Sequence, residues 1–132
     1  MELVASTPKN TITGTDGADT VAGTSSAEVI NAGMGKDTIS TGDGADVIVL
    51  AAGDGSTTLA NSNTVSDFTD ASDKFALEGS LTFSDLTIAA DATTATDTVI
   101  SVTATSEYLM TVTGVTYGYI TTNDFIAVAD IA

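Results

Sequence analysis

The sequence predicts an all-β protein, and three observations lead to that fold class. Of the 132 residues, 42% are hydrophobic, chiefly Ala, Val, Ile and Leu, and Thr is abundant throughout. β-branched side chains favour strands, whereas the strong helix formers Glu, Lys, Arg and Gln are scarce. The third observation, after the apolar, Thr-rich composition and the scarcity of helix formers, is a nine-residue repeat from Gly14 to Val49, which predicts short strands separated by tight turns. At this length we expect one domain with a modest core.

The charge and the missing residue types exclude several function classes. Three Lys residues stand against 18 acidic residues, so the net charge is −15. A chain this acidic is not expected to bind nucleic acid through phosphate contacts or to insert into an anionic membrane. Cys and His are both absent, which removes disulfides, zinc sites and imidazole or thiol catalysis. Sites for hard cations, which bind oxygen ligands, remain possible with this composition.

The repeat consists of four nonamers: GTDGADTVA, GTSSAEVIN, AGMGKDTIS and TGDGADVIV. Each has an acidic residue at its sixth position and an aliphatic residue two positions later. The acidic residues are Asp19, Glu28, Asp37 and Asp46, and the aliphatic residues are Val21, Ile30, Ile39 and Ile48. In a three-residue strand only the middle side chain points to one face, so these aliphatics are predicted to line a narrow interior. Thr20, Ala22, Thr38 and Ser40 are predicted to face outward.

Stacking of the repeats predicts a cation site. If two nonamers complete one coil, Asp19 lies over Asp37 and Glu28 lies over Asp46, about 4.8 Å apart along the hydrogen-bonding direction. Carboxylates at that spacing repel one another unless a cation lies between them. Carbonyl oxygens of the glycine-rich turns would supply further ligands, a set that suits six- to eight-coordinate Ca²⁺ better than Mg²⁺.

These residues resemble the hemolysin-type calcium-binding (RTX) repeat, G-G-x-G-x-D-x-U-x with U a large aliphatic. The resemblance implies a short parallel β-roll with calcium held between turns at each edge. The residues that match the metal-binding positions are Asp19, Asp37, Asp46, Gly14, Gly17, Gly33, Gly35, Gly42 and Gly44. Glu28 replaces Asp in the second unit, which also has Ser26 at a glycine position. Thr15, Thr41 and Ala32 are further departures from the pattern.

Ordinary β-turns are the alternative to metal binding, because Asp and Gly are the commonest turn residues. Four phased units argue against that alternative for the repeat as a whole. Asp16 and Asp43, at a variable position of the repeat, are expected to be solvated turn residues rather than ligands.

The segment after the repeats is predicted to close the roll. Leu50 to Ser62 is small and polar, and we expect a bent strand or a loop that ends the coil. The residues from Asp67 to Leu77 resemble the DF-x4-DKI-x-L segment that follows the repeats in RTX proteins. Phe68, Phe75 and Leu77 are the candidate plug for the open end. For Asp67, Asp70 and Asp73, turn or capping roles are favoured over a further calcium site.

The C-terminal part predicts an antiparallel hairpin or meander that packs its apolar face on the roll. Leu86 to Ile88, Thr98 to Thr103 and Tyr108 to Val112 have strand patterns, separated by polar turns. Tyr117 and Tyr119, two residues apart, are expected to close a core edge on a strand, with ligand stacking as the alternative. The apolar tail from Asn123 to Ala132 looks like the C-terminal signals for type I export of RTX proteins, and a terminal strand is the alternative.

We therefore expect an N-terminal lead-in over residues 1–13, a β-roll over 14–55 and a β cap with the export tail over 56–132. The favoured function is a secreted, non-catalytic calcium-binding module whose folding is coupled to Ca²⁺. The start of the chain has no pattern of a secretory signal peptide, which suits C-terminal export. A calcium-dependent self-assembling surface protein, such as an adhesin or surface-layer subunit, is the second hypothesis. An enzyme is the third, and it would need a carboxylate pair of the glycosidase kind.

Overall fold

The structure is a computed structural model that describes residues 10–70 and 72–131. Its regular elements are strands and short 3₁₀ turns. The strands are β1 (Asn10–Thr13), β2 (Thr20–Ala22), β3 (Glu28–Asn31), β4 (Thr38–Ser40), β5 (Val47–Leu50), β6 (Asn63–Val65), β7 (Lys74–Leu77), β8 (Leu86–Ala90), β9 (Thr98–Val102), β10 (Glu107–Val112) and β11 (Phe125–Ala127). The protein is all-β, as the composition predicts. Residues 1–9 of the expected lead-in lie outside the described part of the chain, and residues 10–13 form β1.

The roll consists of two parallel sheets that the chain visits in turn. One sheet has the strand order β1-β3-β5-β7-β11, and the other begins β2-β4-β6. Ile12 pairs with Ile30 and Ile30 pairs with Ile48, so equivalent residues are eighteen apart. This register confirms that two nonamers complete one coil.

The interior between the sheets is filled by the predicted aliphatic ladder. Val21 is 6% exposed, and Ile30, Ile39 and Ile48 are fully buried. The flanking residues Thr20, Ala22, Thr38 and Ser40 are exposed. The prediction that the aliphatic residues point inward and the prediction that their neighbours face outward are both confirmed. One inward side chain per nonamer gives a thin core.

The coil continues past the repeats, contrary to the prediction that Leu50 to Ser62 ends it. Residues 51–62 form an insertion with a short 3₁₀ turn, after which β6 re-enters one sheet and β7 the other. Val65 pairs with Ile39 and Phe75 pairs with Ile48, so both carry on the inward ladder. A third coil therefore forms without the nonamer motif, because its strands still offer an apolar side chain at the inward position.

The predicted antiparallel meander is present, and it extends a sheet of the roll. β8 pairs with β9 and β9 with β10, both antiparallel, and β10 then pairs in parallel with β6. Ile100, Leu109, Met110 and Val112 belong to the same buried cluster as the roll's aliphatics. The meander thus shares one core with the roll through edge pairing.

The predicted aromatic plug is buried at the end of the roll. Phe68 and Phe75 stack in parallel with ring centroids 4.6 Å apart, and Leu77 is also buried. β11 pairs in parallel with β7 and brings Phe125 against Phe75, with centroids 5.5 Å apart. The C-terminal segment therefore contributes the last strand of this sheet.

The expectation for Tyr117 and Tyr119 is wrong. They lie on a 3₁₀ turn, closed by the Tyr119 N–H to the Thr116 carbonyl, and are 55% and 64% exposed. The turn removes the alternation that would have buried them on a strand, and Ile120 is buried in their place. No helix in the described ranges is both long and apolar enough to cross a membrane.

Candidate metal centre

Two pairs of loops stack at the two edges of the roll. Loop 14–19 contacts loop 32–37 at one edge, and loop 23–28 contacts loop 41–46 at the other. The contact is close: a Cβ on Gly33 would lie 2.6 Å from the Thr15 carbonyl oxygen, and one on Gly35 would lie 2.5 Å from that of Gly17. Gly33 and Gly35 also have φ of +83° and +101°, which glycine adopts without steric cost. The backbones of successive coils can meet only because these positions lack side chains.

A ladder of hydrogen bonds links the side chains at the first edge. The Asp19 N–H donates to Asp37 Oδ1 at 2.8 Å, and the Asp37 N–H donates to Asn63 Oδ1 at 2.8 Å. Each side-chain oxygen thus accepts from the backbone one coil earlier. Asn63, from β6, takes the third position on this edge.

The second edge repeats the ladder. The Glu28 N–H donates to Asp46 Oδ1 at 2.8 Å, and the Asp46 N–H donates to Asp73 Oδ1 at 2.9 Å. Asp73 also accepts from the Thr69 N–H at 2.8 Å and is fully buried. The two edges therefore have the same construction, with one residue contributed from beyond the repeats.

The carboxylates of the first coil are satisfied by their own loops. Asp19 Oδ2 accepts from the Thr15 N–H at 2.6 Å, and the Thr15 hydroxyl donates to the same carboxylate. Glu28 accepts in the same way from the N–H of Thr24 at 2.9 Å and from its hydroxyl. Threonine, four positions before the acid, supplies both donors.

The carboxylates of the second coil each have one oxygen without a partner. Asp37 Oδ2 and Asp46 Oδ2 are buried and accept no hydrogen bond. The residues four positions earlier are Gly33 and Gly42, which bring no hydroxyl, and the Gly42 N–H donates to Asp67 instead, at 2.9 Å. A buried carboxylate oxygen without a donor or a cation is strongly destabilising.

The electrostatics of these groups follow from their partners. Burial, together with repulsion from Asp19 and Asp54, raises the pKa of Asp37 despite the hydrogen bond from Asp19. Burial raises the pKa of Asp46 to about 6, and repulsion from Asp73 and Glu28 adds to the shift. The side-chain and backbone hydrogen bonds from Thr24 lower the pKa of Glu28. Burial therefore disfavours the charged form of both second-coil carboxylates, Asp37 and Asp46.

The donor set at each edge fits calcium. The unpartnered oxygens are carboxylate oxygens, and the glycines of their loops stack on backbone carbonyls of the preceding coil. No group of three or more acidic side chains in residues 10–70 and 72–131 converges closely enough to hold a metal by itself. Backbone carbonyls would therefore complete the ligand set, which is usual for Ca²⁺ and unusual for Mg²⁺.

The predicted glycines of the second coil differ in conformation from those of the first. Gly33, Gly35, Gly42 and Gly44 all have positive φ and stack on the preceding loops, whereas Gly14 and Gly17 do not have positive φ. Asp16 and Asp43 are exposed. Asp67 accepts from the N–H groups of Thr41 and Gly42, which is the capping role favoured from the sequence.

Asn63 was missed by sequence reasoning. It is not acidic, and it lies 26 residues after Asp37 rather than 18 because of the insertion. An inward aliphatic two positions later, Val65, is the signal that could have identified it.

Comparisons with known proteins agree with this architecture. Residues 9–39 and 22–56 match the family described as RTX calcium-binding nonapeptide repeat (4 copies). No curated protein matches the chain. Among solved structures, the AlgE6R3 subunit of the Azotobacter vinelandii mannuronan C5-epimerase is similar with a TM-score of 0.60 and 17% identity, over 98% of this chain and 84% of that one. The AlgE6R2 subunit of the same enzyme has a TM-score of 0.61 and 17% identity, over 94% and 95%.

Residues 9–56 thus match RTX calcium-binding nonapeptide repeats, and the chain has the fold of a parallel β-roll. The similarity to the epimerase subunits is one of fold.

Proposed function

We propose that this chain is a secreted, non-catalytic module that binds Ca²⁺ at both edges of the roll and folds fully only with the metal. The observation that supports this most directly is the pair of buried, unpartnered oxygens of Asp37 and Asp46. One ion at each edge would give both oxygens the partner that the protein does not supply.

The glycine loops provide the rest of each site. Gly33 and Gly35 lie against the Thr15 and Gly17 carbonyls, and Gly42 and Gly44 lie against those of Thr24 and Ser26. These carbonyls belong to the loops on which the loops of Asp37 and Asp46 stack. Asp19 and Glu28, whose oxygens already have donors, add negative charge to the same edges. In this proposal Asp37 and Asp46 are the principal ligands.

We propose that the module is non-catalytic because of the side chains that the chain contains. The chain has no His, Cys or Arg, and the buried carboxylates Asp37, Asp46 and Asp73 accept hydrogen bonds in the ladders. Secretion through a type I exporter is proposed from the repeats and from the apolar segment of residues 123–132.

Calorimetric titration tests the calcium sites. Wild-type protein is expected to bind two Ca²⁺ ions and to bind Mg²⁺ much more weakly. The double variant Asp37→Asn, Asp46→Asn should bind neither ion, whereas the control Asp16→Asn, Asp43→Asn should titrate like wild type. Wild-type protein that takes up no calcium, or a double variant that binds like wild type, would contradict the proposal.

Calcium-dependent self-assembly is the second candidate function. β8 and β11 each end a sheet in the described part of the chain, and an exposed sheet edge can accept a further strand. Light scattering with calcium or EDTA separates the candidates, since an ordered polymer that forms only with calcium supports assembly and a monomer in both conditions excludes it.

A further inference from the structure

Two tyrosine rings are displayed on the surface by one short 3₁₀ turn. Tyr117 and Tyr119 are 55% and 64% exposed. The turn is held by its backbone, since the Tyr119 N–H donates to the Thr116 carbonyl at 3.0 Å. Ile120, which follows, donates its N–H to the Tyr117 carbonyl at 3.1 Å and is buried in the core. The rings are therefore exposed on an ordered support, where they are open to stacking on a ligand.

Tyr119 lines a groove beside this turn, and Tyr117 is not among the described residues that line it. The groove has a volume of about 460 Å³, which is within the usual range for a ligand site. Its lining residues come from three parts of the chain: Asp70 after β6, Thr96 before β9, and Gly114, Val115, Thr116 and Tyr119 after β10. Gly114 has no side chain to fill the groove, and a Cβ there would meet nothing within 4 Å.

The wall that carries Tyr119 is fixed by hydrogen bonds to the start of β9. The Gly114 N–H donates to Asp97 Oδ1 at 2.8 Å. The Thr98 hydroxyl donates to the Val115 carbonyl at 2.6 Å, and Thr98 is fully buried. Since β9 is the central strand of the meander, this wall is tied to a well-packed element. The groove is thus formed before any ligand binds, as is usual for binding sites.

The groove is acidic, and no cation is among its described lining residues. Asp70 is the one charged side chain that lines it. Burial, together with repulsion from Asp70, raises the pKa of the neighbouring Asp124. Lys74 acts on Asp124 as well, but its ammonium group donates to the Asn123 carbonyl at 2.8 Å and Lys74 does not line the groove. An aromatic ring and a carboxylate without a cation favour a positively charged ligand.

We propose that Tyr119 and Asp70 bind a guanidinium or ammonium side chain of a basic partner protein. A cation over the face of a tyrosine ring is attracted by the ring's quadrupole, and a carboxylate balances its charge. The groove is open and Tyr119 is largely exposed, which suits a side chain carried by a larger partner better than an enclosed small molecule. A second copy of this chain is a poor source, since three Lys are its only cations. The inference goes beyond the proposed function, because Asp37 and Asp46 do not line this groove.

NMR titration with N-acetylarginine amide, in saturating calcium, tests the site. Saturable shifts are expected in the backbone amides of residues 96 and 114–119. N-acetylcitrulline amide, an uncharged isostere, should bind about fivefold more weakly or worse, because it lacks the cation. Tyr119→Ala and Asp70→Asn should each weaken binding of the arginine derivative by about threefold or more. Tyr119→Phe, which keeps the ring, should bind like wild type.

Two matched controls separate the groove from the general surface. Tyr117→Ala removes a similarly exposed ring of the same turn, and Asp43→Asn removes an exposed carboxylate elsewhere. Neither should change the affinity, and resonances far from the groove should superimpose in every variant. Equal losses in Tyr117→Ala and Tyr119→Ala, or in Asp43→Asn and Asp70→Asn, would overturn the inference.

Other occupants of the groove give different results. Equal binding of the arginine and citrulline derivatives would show that charge is not recognised, and the inference would fail. Saturable binding of maltotriose, with no response to the arginine derivative, would assign the groove to a neutral sugar instead. A dimer in light scattering that is lost in Tyr119→Ala would assign it to a second copy of this chain.

Discussion

Four positions before each repeat carboxylate stands either threonine or glycine, and this choice separates the two coils. Thr15 and Thr24 give their carboxylates an N–H and a hydroxyl, whereas Gly33 and Gly42 leave one carboxylate oxygen buried without a partner. The acid itself is present in all four units, so the acidic pattern alone does not distinguish them. The site depends on the acid and on the residue four before it.

Replacing a second-coil carboxylate should therefore cost more calcium affinity than replacing a first-coil one. We expect Asp37→Ala to weaken one site by about tenfold or more, since its unpartnered oxygen is a ligand. Glu28→Ala should have a smaller effect, because both Glu28 oxygens already have donors from Thr24. Calorimetric titration of the two variants measures this, and equal losses would show that the carboxylates are equivalent.

The raised pKa values predict how pH affects the metal-free protein. The pKa of Asp46 rises from its usual 3.8 to about 6, and that of Asp37 also rises. Between those values the folded state binds more protons than the unfolded state, so stability is greatest at the lower pH and falls as pH rises through this window. In EDTA the melting temperature should be higher near pH 5 than near pH 7.

Calcium should reverse that trend, because protons and calcium compete for the same oxygens. The gain in melting temperature on adding calcium should be larger near pH 7 than near pH 5. A metal-free melting temperature that rises from pH 5 to 7 would show that Asp37 and Asp46 are not held protonated by burial.

At the scale of the elements, the repeats were predictable and the elements after them only partly so. The period of nine predicts strands β2 to β5 and the aliphatic residue of each that points inward. This prediction was possible because so short a strand points its middle side chain to one face. The third coil was missed, since β6 and β7 keep the inward Val65 and Phe75 but lose the nonamer spacing. The loop carbonyls and unpartnered oxygens depend on stacking between coils, which sequence order does not display.

The stacked glycine loops should not tolerate side chains. Gly33→Ala places a Cβ 2.6 Å from the Thr15 carbonyl oxygen at a φ of +83°, so it suffers both backbone strain and overlap. Gly79→Ala is the matched control: its φ is +69°, but nothing lies within 4 Å of the new Cβ. The control should cost about 1–2 kcal/mol from strain alone, and Gly33→Ala more.

Denaturant unfolding in saturating calcium measures both glycine variants. Similar losses of unfolding free energy in Gly33→Ala and Gly79→Ala would mean that the loops are not in contact as described.

Removal of the last strand separates export from calcium binding. Deletion of residues 125–132 takes away β11, which pairs with β7, whereas the proposed ligands Asp37 and Asp46 lie in the repeat loops. We expect release by a type I exporter to be abolished while two calcium ions still bind. Normal release of the truncated chain would assign the tail a purely structural role.

At the scale of the whole molecule, charge opposes folding of the repeat half. Residues 14–54 contain seven acidic residues and one cation, Lys36. The ladders bring several of these carboxylates close together, well inside the ~8 Å screening length at physiological salt. One buried aliphatic side chain per nonamer does little to offset this repulsion. Metal that binds only the folded state adds about 2.7 kcal/mol of stability per site at a hundredfold excess over Kd.

Circular dichroism in EDTA and in millimolar calcium tests the central claim most directly. We predict partial β-structure in EDTA, retained in the meander and its aromatic neighbours, and a cooperative gain of β-signal and melting temperature with calcium. Magnesium at the same concentration should produce little of either change. Identical spectra and melting temperatures in EDTA and in calcium would contradict the account, because the buried oxygens of Asp37 and Asp46 would then be tolerated without metal.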